Sequence, residues 1–198
     1  MVGHSILAGL NAGLSGIPFW GFDIAGFSGD IPSAELYIRA TAMATFCPIM
    51  QYHSEYCPPG TPNRDRTPWN IAERTGDRRV VDLYGAFARL RMRLIPYIVD
   101  QAAACAATGQ PLMRAMPLAF PDEPEGRAFP FQYLFGDDLL VCPVVRPGQE
   151  NWAAYLPRGA WRDAWTGTSI QGGQTLVWPA PLDRPPIFTR GAVLPAPS

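Results

Sequence analysis

The 198-residue chain carries 16 basic and 17 acidic side chains, a net charge of −1 that offers neither nucleic acid nor an anionic membrane a complementary surface. Every basic residue is an arginine, which removes lysine Schiff-base chemistry and a Walker-type phosphate loop. With 47% hydrophobic residues there is ample material for the core of one large domain or two small ones. No run approaches the roughly 20 apolar residues of a membrane span. The N-terminus lacks the basic and continuous apolar regions of a signal peptide, so a cytoplasmic, reducing location is expected.

In chain order, His4 to Leu14 places Ile6, Leu10 and Leu14 on one stripe beside Leu7, which predicts an amphipathic helix. Ile17 to Phe22 is an apolar run between glycines and reads as a strand buried on both faces. It ends on Asp23, after which Gly26 and Phe27 turn the chain away. Ser33 is a good N-cap for a helix reaching about Phe46. A second short strand, about Pro48 to Tyr52, stops at His53. In parallel α/β folds ligands sit at the carboxyl ends of strands, so two strand ends tipped with polar residues suggest part of a pocket. Ser54 to Arg78 reads as a long, polar, proline-rich loop of the functional kind. From Arg79 to Ala107 a long helix aligns Leu83, Phe87, Leu90, Leu94 and Ile98; Pro96 is expected to kink it and Gly109 to end it.

Beyond Gln110 the helical period gives way to short apolar runs: Pro111 to Leu118, Asp138 to Val145, Asn151 to Pro157, Gly159 to Trp165. Their regular punctuation suggests an antiparallel sandwich. The expected division is residues 1–108, helix and strand in alternation, against 109–198. Cys47, Cys105 and Cys142 sit in apolar runs as small core residues, while a pairing of Cys57 with another cysteine stays open. Two parallel strands are too few for a sheet covered on both faces. The first half therefore reads as a slice of a larger barrel, with the chain expected to be truncated at its N-terminus.

Gly13-Leu-Ser-Gly-Ile-Pro-Phe-Trp-Gly-Phe-Asp23-Ile-Ala-Gly-Phe27, Glu35-Leu-Tyr-Ile-Arg39 and Phe46-Cys-Pro-Ile-Met-Gln-Tyr-His53 resemble, in order, glycoside hydrolase family 31. Arg66-Thr-Pro-Trp69-Asn, Leu90 to Ile98, Pro111 to Ala115, Gln132 to Val141, Trp161 to Gly167, Ala180 to Asp183 and Phe188 to Ala192 extend the resemblance over nearly the whole chain. It implies a retaining α-glycosidase, such as an α-glucosidase or α-xylosidase, built on a (β/α)8 TIM barrel followed by an antiparallel β-sandwich domain. Residues 1–108 would be the C-terminal part of that barrel. The family's nucleophile and acid/base aspartates lie on earlier strands, expected upstream of Met1, and neither motif occurs here. No catalytic residue is therefore expected within this chain, and a missing upstream segment would be the partner supplying the pair. Cleavage with retention needs two carboxylates about 5–5.5 Å apart, and nothing fixes Asp30 opposite Asp23 in that way.

By the same resemblance Asp23 lines the subsite of the cleaved sugar, Phe27 borders the aglycone subsite and His53 hydrogen-bonds a sugar hydroxyl. Read from the residues alone, Asp23 equally suits a carboxylate capping the next loop, and Phe27 a core residue. Arg66 is expected to ion-pair with Asp65 or Asp23, and Trp69 to pack on the neighbouring helix. Trp152, Trp161, Trp165 and Trp178 read as sandwich core rather than a sugar platform. Asp137 and Asp138 lack further metal-ligand partners, so neither metal nor cofactor is implied. The expected ligand is an α-linked oligosaccharide or glycoside. The rival reading is a non-enzymatic carbohydrate-binding or structural β-sandwich module.

Overall fold

Helix α1 (Val2–Leu14) buries Val2, Ile6 and Leu10 and leaves His4 in solvent. The structure, a computed structural model, describes residues 2–56, 58–61, 63–191 and 194. Two expectations fall on residues outside that set: the catalytic pair placed upstream of Met1, and the open pairing of Cys57. Met1 and Cys57 both lie outside the described residues. On α1 the buried Gly9 faces the Trp20 ring, and a Cβ there would collide with it. That close approach seats the helix over the following segment.

Strand β1 (Gly21–Asp23) pairs in parallel with β2 (Ile49–Gln51), in the register Gly21↔Ile49 and Asp23↔Gln51. Between them runs α2 (Ala34–Thr45), capped by Ser33, whose hydroxyl accepts from the Leu36 N–H at 3.3 Å. The expectation of a strand over Ile17–Phe22 buried on both faces does not hold. Only three residues are extended, and Ile17 and Phe19 are 54% and 43% exposed. Among the described residues β1 pairs with β2 alone, so its second edge has no strand partner.

The expected loop from Ser54 to Arg78 contains helix α3 (Pro68–Thr75). Its signals are local: the Thr67 hydroxyl accepts from the Asn70 N–H, proline stands in the first turn, and Gly76 closes the helix at φ 68°. Helix α4 (Arg79–Thr108) continues through Pro96 and ends at Gly109. Phe87, Leu90, Leu94 and Ile98 form its buried stripe. From α4 the Arg91 guanidinium donates to the Thr45 carbonyl at 2.9 Å and the Pro48 carbonyl at 2.7 Å, tying down the turn that launches β2.

The remainder is β3 (Met113–Ala115), the short helix α5 (Met116–Ala119), a 3-10 turn (Pro124–Ala128), β4 (Tyr133–Phe135) and β5 (Leu139–Val141). It continues with β6 (Asn151–Leu156), β7 (Ala160–Asp163), β8 (Ser169–Gln171), β9 (Gln174–Pro179) and β10 (Ile187–Thr189). Helix α5 replaces the end of the strand expected over Pro111–Leu118. Antiparallel ladders order one sheet β3-β4-β5-β10-β7-β8, and β6 pairs with β9 separately.

Side chains alternate across a strand, and this sheet is covered on both faces. Cross-strand neighbours Leu134, Leu140 and Phe188 face Leu156 and Trp161 in one cluster. Tyr133, Val141 and Ile187, one residue out of phase, join the cluster formed by α2 and α4. Double-sided burial explains why these strands are continuously apolar instead of alternating. Each large side chain so buried contributes about 1.5–3 kcal/mol. That outweighs the roughly 0–1 kcal/mol of an exposed ion pair such as Arg184–Asp183.

Polar contacts fix the register of the seam. Tyr133 Oη donates to the Phe46 carbonyl, Glu35 accepts from the Gly148 N–H, and Arg39 Nη2 donates to the Gln149 carbonyl. The tryptophans are structural: Trp161 donates to the Pro157 carbonyl, Trp165 to the Pro185 carbonyl and Trp178 to Asp163, while Trp152 packs on the sandwich core. Cys47, Cys105 and Cys142 are buried free thiols. Among the described residues no helix is long and apolar enough to cross a membrane.

Candidate functional site

Asp23 is the last residue of β1, and its half-buried carboxylate accepts from Gln51 Nε2 at 2.8 Å. Gln51 is its register partner at the end of β2, so the parallel ladder itself brings the two side chains together. After Asp23 the chain reverses sharply. Gly26 N–H returns to the Asp23 carbonyl at 2.8 Å, with Ala25 at φ 59° and Gly26 at φ 87°. A left-handed alanine is strained, and the reversal delivers Phe27 to the rim.

His53 follows β2 by two residues and is exposed. Its ring lies 5.8 Å from that of Phe27, centroid to centroid, tilted by 43°. Phe27 is 48% exposed, so the reading of it as a core residue does not hold. The two loops are stitched together beside this pair. Glu55 N–H donates to the Phe27 carbonyl at 2.8 Å, and Gly29 N–H donates to Glu55 Oε1 at 3.0 Å. Arg64 approaches the same carboxylate at 3.2 Å. The Gly29 N–H and then the Arg64 guanidinium hold the Glu55 carboxyl below its ordinary value.

Arg66 does not ion-pair with Asp65 or Asp23. The residue is 1% exposed, and its guanidinium turns inward, where Nη2 donates to the carbonyls of Ser28 at 2.6 Å and Gly29 at 3.1 Å. Trp69 does not pack on the helix as expected; it is 64% exposed. On α3 residues two apart face opposite sides, and it is Ile71 that enters the core. Asp137 pairs with Arg114 at 2.6 Å. Among the described residues no three or more His, Cys, Asp or Glu side chains come together as a metal site.

Two clefts of the fold lie elsewhere. One of about 350 Å3 is lined by Phe129, Phe131, Arg146 and Trp152, and another of about 560 Å3 runs along the seam at Glu35, Arg39 and Gln149. Asp23, Phe27 and His53 line neither and stand on an open face. Their chemistry outweighs cavity size here. A carboxylate and an imidazole exchange hydrogen bonds with hydroxyls, and an exposed aromatic face accepts the apolar side of a ring. A single carboxylate cannot carry out retaining cleavage, which takes two. Sequence reasoning missed Gln51 and Glu55; their signal was position, one at the strand end beside Asp23 and one just past His53.

A parallel strand pair with polar carboxyl ends, backed by helices and joined to an antiparallel β-rich unit, is the pattern of a slice of a (β/α) barrel followed by a C-terminal β-domain. The chain belongs to glycosyl hydrolase family 31: the family's TIM-barrel domain matches residues 2–101 and its C-terminal domain residues 109–194. It is 50% identical to the 1,3-alpha-isomaltosidase of Kribbella flavida over 188 residues, 95% of this chain and 26% of that enzyme. It is 43% identical to the isomaltosyltransferase of Sporosarcina globispora, over 97% of this chain and 18% of that protein. The cycloalternan-degrading enzyme from Trueperella pyogenes, solved in complex with isomaltose, superimposes with a TM-score of 0.92 at 50% identity, over 95% of this chain and 27% of that one. The chain thus spans about a quarter or less of the length of these relatives.

Proposed function

We propose that this chain forms the carboxyl-terminal part of a retaining α-glycosidase that cleaves α-linked oligosaccharides. In this reading Asp23 and His53 hydrogen-bond hydroxyls of the bound sugar, and Phe27 packs against the sugar next to it. The nucleophile and the acid/base come from residues outside this sequence, upstream of Met1. The reading is supported by Asp23 at the carboxyl end of β1 and by the Phe27–His53 ring pair on the loops that follow β1 and β2, the ends at which barrel enzymes bind their substrates. Among the sugars the resemblance allowed, α-glucosides are favoured over α-xylosides, because isomaltose, the sugar named for the relatives above, is built of glucose. No cofactor enters, since carboxylates and protons carry this chemistry.

The division of labour makes a direct prediction. The chain on its own does not turn over an aryl α-glucoside, because one carboxylate cannot serve as both nucleophile and acid/base. Measurable hydrolysis that disappears in Asp23→Ala would overturn the reading.

A further inference from the structure

A buried polar anomaly lies beside the candidate site, against the loops that carry Phe27 and His53. Arg66 is a fully buried cation with no carboxylate within ion-pair distance among the described residues, and its buried Nε has no hydrogen-bond acceptor. The Glu55 carboxylate feels the charge of Arg66 but makes no direct ion pair with it, and burying a guanidinium without such a pair is costly.

The bonds that Arg66 does make each tie a loop. Nη2 takes the carbonyls of Ser28 and Gly29, immediately after Phe27. The backbone N–H of Arg66 donates to Ser54 Oγ at 2.7 Å, immediately after His53. Its carbonyl accepts from Tyr37 Oη at 2.6 Å, and Tyr37 is buried in α2. One residue thus fastens the loop carrying Phe27 and the loop carrying His53 to the same helix.

We propose that Arg66 is a positioning residue that sets the Phe27 ring against the His53 imidazole and so shapes the edge of the sugar site, a role that rests on the function proposed above. It touches no substrate. Its side chain acts through the Ser28 and Gly29 carbonyls, while the bond to Ser54 is made by its backbone. Both carbonyls accept from one nitrogen, Nη2, at the tip of a side chain longer than that of lysine or glutamine, so either replacement falls short of them.

The test uses the chain as it is, isotopically labelled, and exploits its two histidines. The parent should show nuclear Overhauser contacts between the Phe27 and His53 rings. In Arg66→Gln these contacts should vanish and the His53 signals shift, while the His4 signals stay in place. A role confined to general stability would move both histidines or neither. Arg66→Lys, which keeps the charge, should retain weakened contacts, and it also serves if Arg66→Gln fails to fold. Contacts of parental strength in both variants would overturn the proposal. A parallel titration with isomaltose, read on the His53 signals, should show affinity falling about tenfold or more in Arg66→Gln. If the parent itself does not bind isomaltose, the sugar reading falls, while the ring contacts still decide the role of Arg66.

Discussion

The Phe27 ring and the His53 imidazole meet at 5.8 Å although they belong to different loops, each following a different strand of the parallel pair. Neither ring is buried, so their contact is not a device for core stability. Removing either one should leave the fold intact, with unfolding free energy changed by no more than about 0.5 kcal/mol. Isomaltose binding should weaken at least tenfold in Phe27→Ala and in His53→Ala. Denaturant melts alongside a sugar titration check both halves of this expectation.

Glu35 supplies a prediction about pH. Burial works to raise its carboxyl, but the hydrogen bonds from Arg39 and the Gly148 N–H outweigh it, and the value falls below the ordinary 4.5. A carboxyl depressed on folding contributes stability that is complete above 4.5 and is lost as pH drops through the lower folded value. Glu35→Gln should therefore be less stable than the parent at pH 7. The gap should close as pH falls below 4.5, which urea midpoints measured from pH 7 downward would show.

Asp163 holds one end of the sandwich. Its buried carboxylate accepts from the N–H groups of Trp165 and Thr166, from the Thr166 hydroxyl and from Trp178 Nε1. Asp163→Ala strands these donors, each at about 1–3 kcal/mol when cut off from water. We expect a loss of at least about 3 kcal/mol, and a smaller one in Asp163→Asn, which keeps an acceptor. Equilibrium unfolding of the two variants compares the costs.

Much of this was legible in sequence because it is local. The Ser33 cap, the α4 stripe and the Gly109 stop are set by residues within a few positions of one another. Helix α3 was equally local but was hidden, because its Thr67-Pro68 start sits among prolines that read as loop. The exposure of Ile17 and Phe19 was not legible, since burial depends on what packs against a strand and not on the strand alone. At the candidate site Asp23 and His53 were visible as polar ends of apolar runs. The inward turn of Arg66 was not: its partners are backbone carbonyls 37 and 38 positions away, and backbone leaves no trace in a sequence.

The most direct measurement replaces the matching 188-residue stretch of the Kribbella flavida 1,3-alpha-isomaltosidase with this chain and assays the hybrid for that enzyme's own activity. The account predicts a folded, active hybrid that loses most of its activity in Asp23→Ala and in His53→Ala. A folded hybrid that is inactive, or one whose activity is indifferent to Asp23 and His53, would contradict it.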